Sequence, residues 1–436
     1  MSENGQIKCE KCGSTDISQN PKTGKLRCNY CRYEFEPEKS EEIVTDAGKL
    51  EGEHVNKGAE DITAGEDIVT LKCSSCGAEV VIDTRETTQA RCHWCRNTLS
   101  VNSKVANGAV PDVVLPFRIT KDEAKSSIEN FVGKRKFFAN KQFKNEFSIE
   151  NVMGVYFPYM IVDANEHVEL SGEAEKEVKQ YKKDSKDSVT YYDAQGYDIE
   201  REFDIAINGL TIEASRERID NASSIQTNNI VNSIMPFDTE NCVKFDSNYL
   251  RGYTSEKRDM NVKDIEPLAT KQIHDISRIA AKTTTKKYNR GVRWDVENYE
   301  NNGINWNASY LPVWLYSYLE KKNEKERLHY VAVNGRTGET MGSVPIDISR
   351  LLLVSFIVEI ISFVIFALWN MNAEDSDFSW IVLLAGIAFY IINFMRYRNS
   401  DARHNHETET NYKISNLIQK DNKQSRVKKG LTESDM

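Results

Sequence analysis

Eight of the nine cysteines fall into two copies of one pattern. Cys9 and Cys12 precede Cys28 and Cys31; Cys73 and Cys76 precede Cys92 and Cys95. In both copies 15 residues lie between the second cysteine and the third. That is the spacing of a four-cysteine zinc ribbon, and its recurrence at one interval argues against coincidence. Four thiolates complete a tetrahedral shell and leave no position for water or substrate, so the expected chemistry is structural, with two Zn2+ ions and no catalytic metal. Small knuckles of this kind have little core of their own, and metal binding supplies their folding free energy. Disulfides are the competing use of eight cysteines. The N-terminal stretch Met1-Ser-Glu-Asn-Gly-Gln6 is polar and does not read as a secretory signal, which favours a reducing compartment and metal thiolates.

The elements that position these cysteines are two ribbons, residues 1–35 and 68–105, joined by an acidic linker over residues 36–67. The linker holds 11 acids against Lys39, Lys49 and Lys57, so nearly all of the chain's formal net charge of −9 sits there. It has no aromatic residue, and it is expected to be a flexible, self-repelling tether. From 110 to 346 the composition becomes globular and weakly duplicated, with repeats over about 110–225 and 230–346. Val114-Leu115-Pro116-Phe117 is echoed by Ile234-Met235-Pro236-Phe237, and Tyr156-Phe157-Pro158 by Tyr310-Leu311-Pro312. The prolines suggest strand starts or edges.

Local signals within this domain are clear in places. From Tyr197 to Ile207, apolar residues alternate with Asp198, Glu200, Glu202 and Asp204, the period of a half-buried strand. Asn208-Gly209 then reads as a hairpin turn. Asn334-Gly335-Arg336-Thr337-Gly338 reads as another. Thr120 and Glu123 form a capping box for a helix whose inner face is Ala124, Ile128, Phe131 and Val132. A second helix is expected near residues 267–281. The expected fold is therefore multi-domain: two small ribbons, a β-rich α+β domain with internal duplication, and the segment that follows.

That segment, residues 350–396, reads as a two-helix transmembrane hairpin. Leu351 to Trp369 and Trp380 to Met395 are mostly apolar, with acidic residues only between them apart from Glu359. Arg350, Arg396, Arg398 and Arg403 flank the pair, which by the positive-inside rule places both termini, the ribbons and a tail over residues 397–436 in the cytoplasm. Glu359 lies near the middle of the first span, where a carboxylate needs a partner; Ala385, Gly386 and Ala388 allow the facing helix to come close.

No catalytic set emerges. The histidines pair with no nucleophile, and Gly335-x-x-Gly338 lacks the Gly-Lys-Ser/Thr of a phosphate loop. Cys242 reads as a small buried filler. Ribbon one carries six bases and ribbon two five, each against three acids, with Tyr30, Tyr33 and Trp94 at the knuckles. Phosphate binding generally needs about 6–10 contacts, and the acidic linker competes for the same bases.

With Cys9-x-x-Cys12-Gly13, Cys28-x-x-Cys31, Cys73-x-x-Cys76-Gly77, Cys92-x-x-Cys95, Leu311-Pro312-Val313-Trp314 and Val333-Asn334-Gly335-Arg336-Thr337-Gly338-Glu339, the chain resembles a family of bacterial membrane-anchored proteins with N-terminal zinc ribbons of the transcription factor IIB type. Members are often labelled primosomal helicase-like or RNA polymerase subunit-like, a label that follows the ribbons. The resemblance brings no established activity, and no helicase motor motif is present. The expectation is a non-enzymatic, multi-pass membrane protein whose cytoplasmic ribbons dock a protein partner. A membrane-tethered nucleic-acid-binding regulator is the alternative.

Overall fold

The computed structural model describes residues 7–14, 17–20, 22–36, 46–60, 68–72, 78–83, 89–94, 98–100, 111–182, 190–215, 232–250, 252–256, 258–322, 325–372, 384–398 and 410–431. Ribbon one contributes β1 (Ile17–Gln19), β2 (Leu26–Cys28) and β3 (Glu34–Phe35), an antiparallel three-stranded sheet. Then follow β4 (Gly52–Val55), β5 (Ile68–Lys72), β6 (Glu79–Asp83), β7 (Gln89–Arg91), β8 (Thr98–Ser100) and β9 (Val113–Val114). The body runs α1 (Lys121–Gly133), α2 (Lys141–Glu146), β10 (Met153–Tyr181), β11 (Tyr191–Glu213), β12 (Val243–Lys244), β13 (Thr254–Glu256), α3 (Val262–Thr283), β14 (Val292–Lys322), β15 (Lys325–Asn334) and β16 (Thr340–Gly342). Last come α4 (Ile348–Asn372), α5 (Ala385–Arg398) and β17 (Asn411–Leu431).

Both halves of the body run helix, long strand, return strand: α1–β10–β11 and α3–β14–β15. The long strands pair antiparallel at the centre of the main sheet, and the two Tyr-x-Pro units lie across from each other, Tyr156 against Pro312 and Pro158 against Tyr310. The prolines are therefore central rather than at strand starts or edges. Each sits where its strand changes neighbours. On the side away from β14, β10 leaves β13 at Tyr156 and takes up β11 at Tyr159. On the side away from β10, β14 leaves β9 at Tyr310 and takes up β15 at Val313. A strand residue's N–H and C=O point to the same side, and each proline's carbonyl accepts from that outer side, from Ala214 N–H at 3.0 Å and Gly335 N–H at 2.8 Å. The missing N–H thus falls in the gap between neighbours and removes no ladder bond.

The expected helix over 121–133 forms, with its Thr120–Glu123 capping box and with Ala124, Ile128, Phe131 and Val132 buried. Helix α3 lies over the sheet, burying Ile265, Leu268, Ile273 and Ile276 against Val162, Phe203, Ile205 and Trp306. The alternating stretch from Tyr197 lies in β11, with Ile199, Phe203, Ile205 and Ile207 inward. Asn208-Gly209 is not a hairpin. The strand continues to Glu213, and the two residues bulge opposite Asp163, where the pairing register shifts. Gly209 takes φ +72° and donates its N–H to Asp163 Oδ1 at 2.8 Å. Left-handed glycine serves a bulge as well as a turn, and here the partner strand decides.

The linker also differs from a free tether. Residues 46–60 run along the body: β4 pairs parallel with Gly303 to Trp306 of β14, Ala47 and Ala59 are buried, and the Asn56 amide donates to Asn307 Oδ1 at 2.7 Å. All four side chains of β4 are exposed. Backbone hydrogen bonds and two small buried alanines hold this acidic segment, so low apolar content does not free it.

The two-helix transmembrane hairpin is corrected. Among the described residues one helix is long and apolar enough to cross a membrane, by length and composition: Ile348–Leu368, with mean hydropathy 2.8. At 1.5 Å per residue it reaches about 32 Å, against a hydrocarbon core of about 30 Å. Helix α5 has 14 residues and reaches only about 21 Å. The expected second span took its length from apolar count, which does not specify where a helix begins. Residues 373–383 lie outside the described set. The two helices do touch, and Gly386 N–H donates to Glu359 Oε2 at 2.7 Å. A Cβ at Gly386 would lie 2.5 Å from the Ser355 carbonyl, so glycine is required for this approach.

Candidate metal centre and the docked ribbons

Ribbon one builds its site from two equivalent knuckles. In the first, Gly13 N–H donates to the Cys9 carbonyl at 2.8 Å and Cys9 N–H to the Ser14 carbonyl at 2.8 Å. In the second, Arg32 N–H donates to the Cys28 carbonyl at 2.9 Å and Cys28 N–H to the Tyr33 carbonyl at 2.9 Å. Gly13 has φ +71° and Arg32, at the matching place, φ +63°. A non-glycine residue there carries a strain of order 1 kcal/mol, which the knuckle must hold. The sheet β1–β3 brings the knuckles together over Ile17, Leu26 and Phe35, all buried.

The four sulfur atoms of Cys9, Cys12, Cys28 and Cys31 lie within 4.8 Å of one another, a group that could hold a metal ion. Cys9 Sγ is 3.5 Å from Cys31 Sγ, and Cys12 Sγ is 3.6 Å from Cys28 Sγ. A tetrahedral ion with metal–sulfur bonds of about 2.3 Å needs sulfurs about 3.8 Å apart, so the set fits with little movement. The Cys31 backbone N–H faces Cys28 Sγ at 3.5 Å and leads the interactions that lower that thiol, while Cys12, despite the Ser14 backbone contact, is raised by desolvation and by the other three sulfurs. All four donors are sulfur, the donor set that fills a tetrahedral shell without a place for water.

The ribbon is seated on the body. Ile7 N–H donates to Asp246 Oδ2 at 2.9 Å, the Gln19 amide donates to the Phe117 carbonyl, and Cys9, Ile17, Leu26 and Cys28 share a cluster with Phe117, Tyr156 and Trp314. Outward it presents Tyr30, 79% exposed, and Tyr33, which stacks on Phe35.

Of the second set, Cys92 is buried, while Cys73, Cys76 and Cys95 lie outside the described residues. The surrounding elements join the body. Strand β6 pairs with β13, which runs parallel to β10. His93 is 1% exposed, with Nε2 2.7 Å from Glu256 Oε1, and the Trp94 indole N–H donates to the same oxygen. Trp94 packs edge-on against Phe157 and Tyr330. It is not the exposed knuckle aromatic that its place in the motif suggested.

One group escapes sequence reasoning. Two carboxyls of β10 are raised by burial: Asp163, bonded by Gly209 N–H and Asn305, to about 6, and Glu166, which faces α3, to about 7. His274 Nε2 lies 3.8 Å from Glu166 Oε1, and its ring stacks on Tyr299 with centroids 3.7 Å apart. Glu166 and His274 stand 108 positions apart, on β10 and α3, and no short motif links them. The acidic stripe on β11 is partly neutralised: His167 pairs with Asp204 at 2.7 Å and Lys420 of β17 with Glu200 at 3.5 Å. Cys242 is buried and burial raises its thiol, as suits a filler.

No protein-family model matches the chain, and no solved structure matches it. It is 26% identical over 244 residues to a protein of Bacillus subtilis (strain 168) described as "Uncharacterized protein YdjG". The match covers 56% of this chain and 66% of that protein.

Proposed function

We propose that this protein is a membrane-associated, non-enzymatic adaptor that holds two structural zinc ions and engages a protein partner through ribbon one. The observation that carries the reading is the pairing of a closed four-cysteine cluster with an outward knuckle: Tyr30 is exposed while the ribbon's opposite side is fixed to the body. A closed thiolate shell supplies rigidity and no chemistry. An aromatic side chain on a rigid turn supplies contact area at low entropic cost. The first zinc ion is assigned to Cys9, Cys12, Cys28 and Cys31, the second to Cys73, Cys76, Cys92 and Cys95 by their equal spacing. Free thiolates call for a reducing compartment, so the ribbons belong on the cytoplasmic side. Helix α4 is the anchor, by its length and apolar surface.

A nucleic-acid-binding role is weaker, since Lys25 is already paired with Glu36 of the linker at 2.9 Å. The test is a photoreactive aromatic placed at Tyr30 of the full chain in native membranes. The reading expects light-dependent adducts with protein, and none from the same group at Trp94. Adducts with DNA or RNA, or a pattern identical at both positions, would refute it.

A further inference from the structure

The base of α4 is gripped by the body. Leu351 is fully buried, and Tyr397 of α5 accepts the Phe138 N–H on its hydroxyl oxygen at 2.8 Å. The turn after α1 is thereby fixed where the apolar helix leaves. That turn reads Lys134-Arg135-Lys136-Phe137. Phe137 is 57% exposed, the Arg350 guanidinium lies 4.6 Å from its ring centroid, and Lys144 Nζ donates to its carbonyl at 3.4 Å. Beside it is a 370 Å³ cavity lined by Ser127, Asn130, Lys134, Arg135, Thr340 and Arg396. This is within the size range of about 300–1,000 Å³ for small-ligand sites.

The cavity's wall is built rather than incidental. Arg135 is 8% exposed, its Nε donates to the Arg396 carbonyl at 3.2 Å and its Nη1 to the Phe131 carbonyl at 3.1 Å, and its guanidinium covers the Phe131 ring at 3.6 Å. Burial, then the like charge of Arg396, lowers it to about 10. Like charges gather outside the cavity too: Arg350 and Lys136 both act on Lys144, with Asp347 the opposing acid. Three cations, hydroxyls and an amide around one cavity suit a phosphate, and an exposed aromatic ring beside them suits the level of lipid headgroups.

We propose that this cavity binds the phosphate of an anionic phospholipid, with Phe137 seated in the headgroup layer beside it. The occupant is a lipid because the turn that supplies Lys134 and Arg135 to the cavity also carries Phe137, whose ring faces Arg350 in the first turn of α4, the apolar helix. The inference rests on the reading of α4 as a membrane anchor, and the experiment separates the two.

The full chain is reconstituted into vesicles of phosphatidylcholine alone or with phosphatidylglycerol, extracted in detergent, and its retained lipid identified by native mass spectrometry. The wild type should retain phosphatidylglycerol in preference to phosphatidylcholine. Lys134→Gln with Arg396→Gln should lower that preference about 25-fold, about fivefold for each basic residue lost at an anionic surface. Lys263→Gln with Lys282→Gln, both exposed on α3, should leave it unchanged. Failure to enter phosphatidylcholine vesicles at all would overturn the anchor, and the proposal with it. Normal entry with no anionic preference, an equal loss in both double variants, or displacement of the lipid by millimolar inorganic phosphate would overturn the proposal alone.

Discussion

Glu166 gives a test whose sign is set by burial. It occupies an inward place on β10 between Ala164 and Val168, among the apolar residues under α3. Its Oε2 has no hydrogen-bond partner, and burial raises the carboxyl from 4.5 to about 7. The facing group is His274, itself lowered by burial and then by the charge of Arg278, so near neutral pH it offers no positive charge. Tyr299 stacks on that imidazole. A carboxyl raised on folding keeps a proton that the unfolded chain has released. Its effect is absent below the ordinary carboxylate range, grows as pH rises to about 7, and is then constant. At about 1.4 kcal/mol per pH unit, ionised Glu166 costs about 3 kcal/mol above that point. Glu166→Gln keeps the shape of the protonated acid. It should match the wild type near about pH 4.5 and exceed it by about 2–3 kcal/mol near about pH 8. The assay is thermal unfolding of the detergent-solubilised chain, followed by tryptophan fluorescence, since Trp306 is buried in the same cluster. A variant less stable than the wild type at the higher pH, or a difference that does not change with pH, would refute the reasoning.

Further outcomes concern the segments laid along the sheet. A Cβ at Gly303 would fall 2.4 Å from the Leu50 carbonyl carbon and oxygen. Gly303→Ala should therefore lift residues 47–55, seen as at least about tenfold faster amide exchange at Glu53 to Val55 with the β10–β14 ladder unchanged. Arg201, 1% exposed, holds Asp421 of β17 at 2.7 Å and Thr284 Oγ1 at 2.8 Å. Burial alone would raise the Asp421 carboxyl, but Lys287 and Arg201 hold it well below its ordinary range. That contribution is full above the ordinary carboxylate range and is lost as pH falls beneath it. Arg201→Met should release β17 at the cost of about 2–3 kcal/mol near neutral pH, less at low pH, measured by exchange along β11 and β17.

What the sequence revealed was local, and what it concealed was long-range. The α1 capping box and its four inward residues are set within thirteen positions, and they form as read. The alternation at Tyr197 likewise survives in β11. Asn208-Gly209 was ambiguous because the left-handed glycine of a turn and of a bulge are the same local device, and Asp163 across the sheet decides. The acidic segment 46–60 carries no apolar alternation, yet backbone pairing to β14 needs none. Trp94 occupies a knuckle position, but its exposure depends on where Phe157, Tyr330 and Glu256 lie. The cysteine spacing of ribbon one did carry its geometry, because four ligands on two short knuckles must converge.

The central claim is that the Cys9, Cys12, Cys28 and Cys31 cluster is a zinc site on which a docked ribbon depends. The direct measurement is metal content of the purified full chain by mass spectrometry, wild type against Cys28→Ser. Two zinc ions per wild-type chain and one per variant chain are expected. In the variant, amide exchange should also rise through β1 to β3 and at Ile7, where the ribbon meets Asp246. Equal zinc in both proteins, or a wild type whose cysteines are disulfide-bonded and metal-free, would contradict the claim.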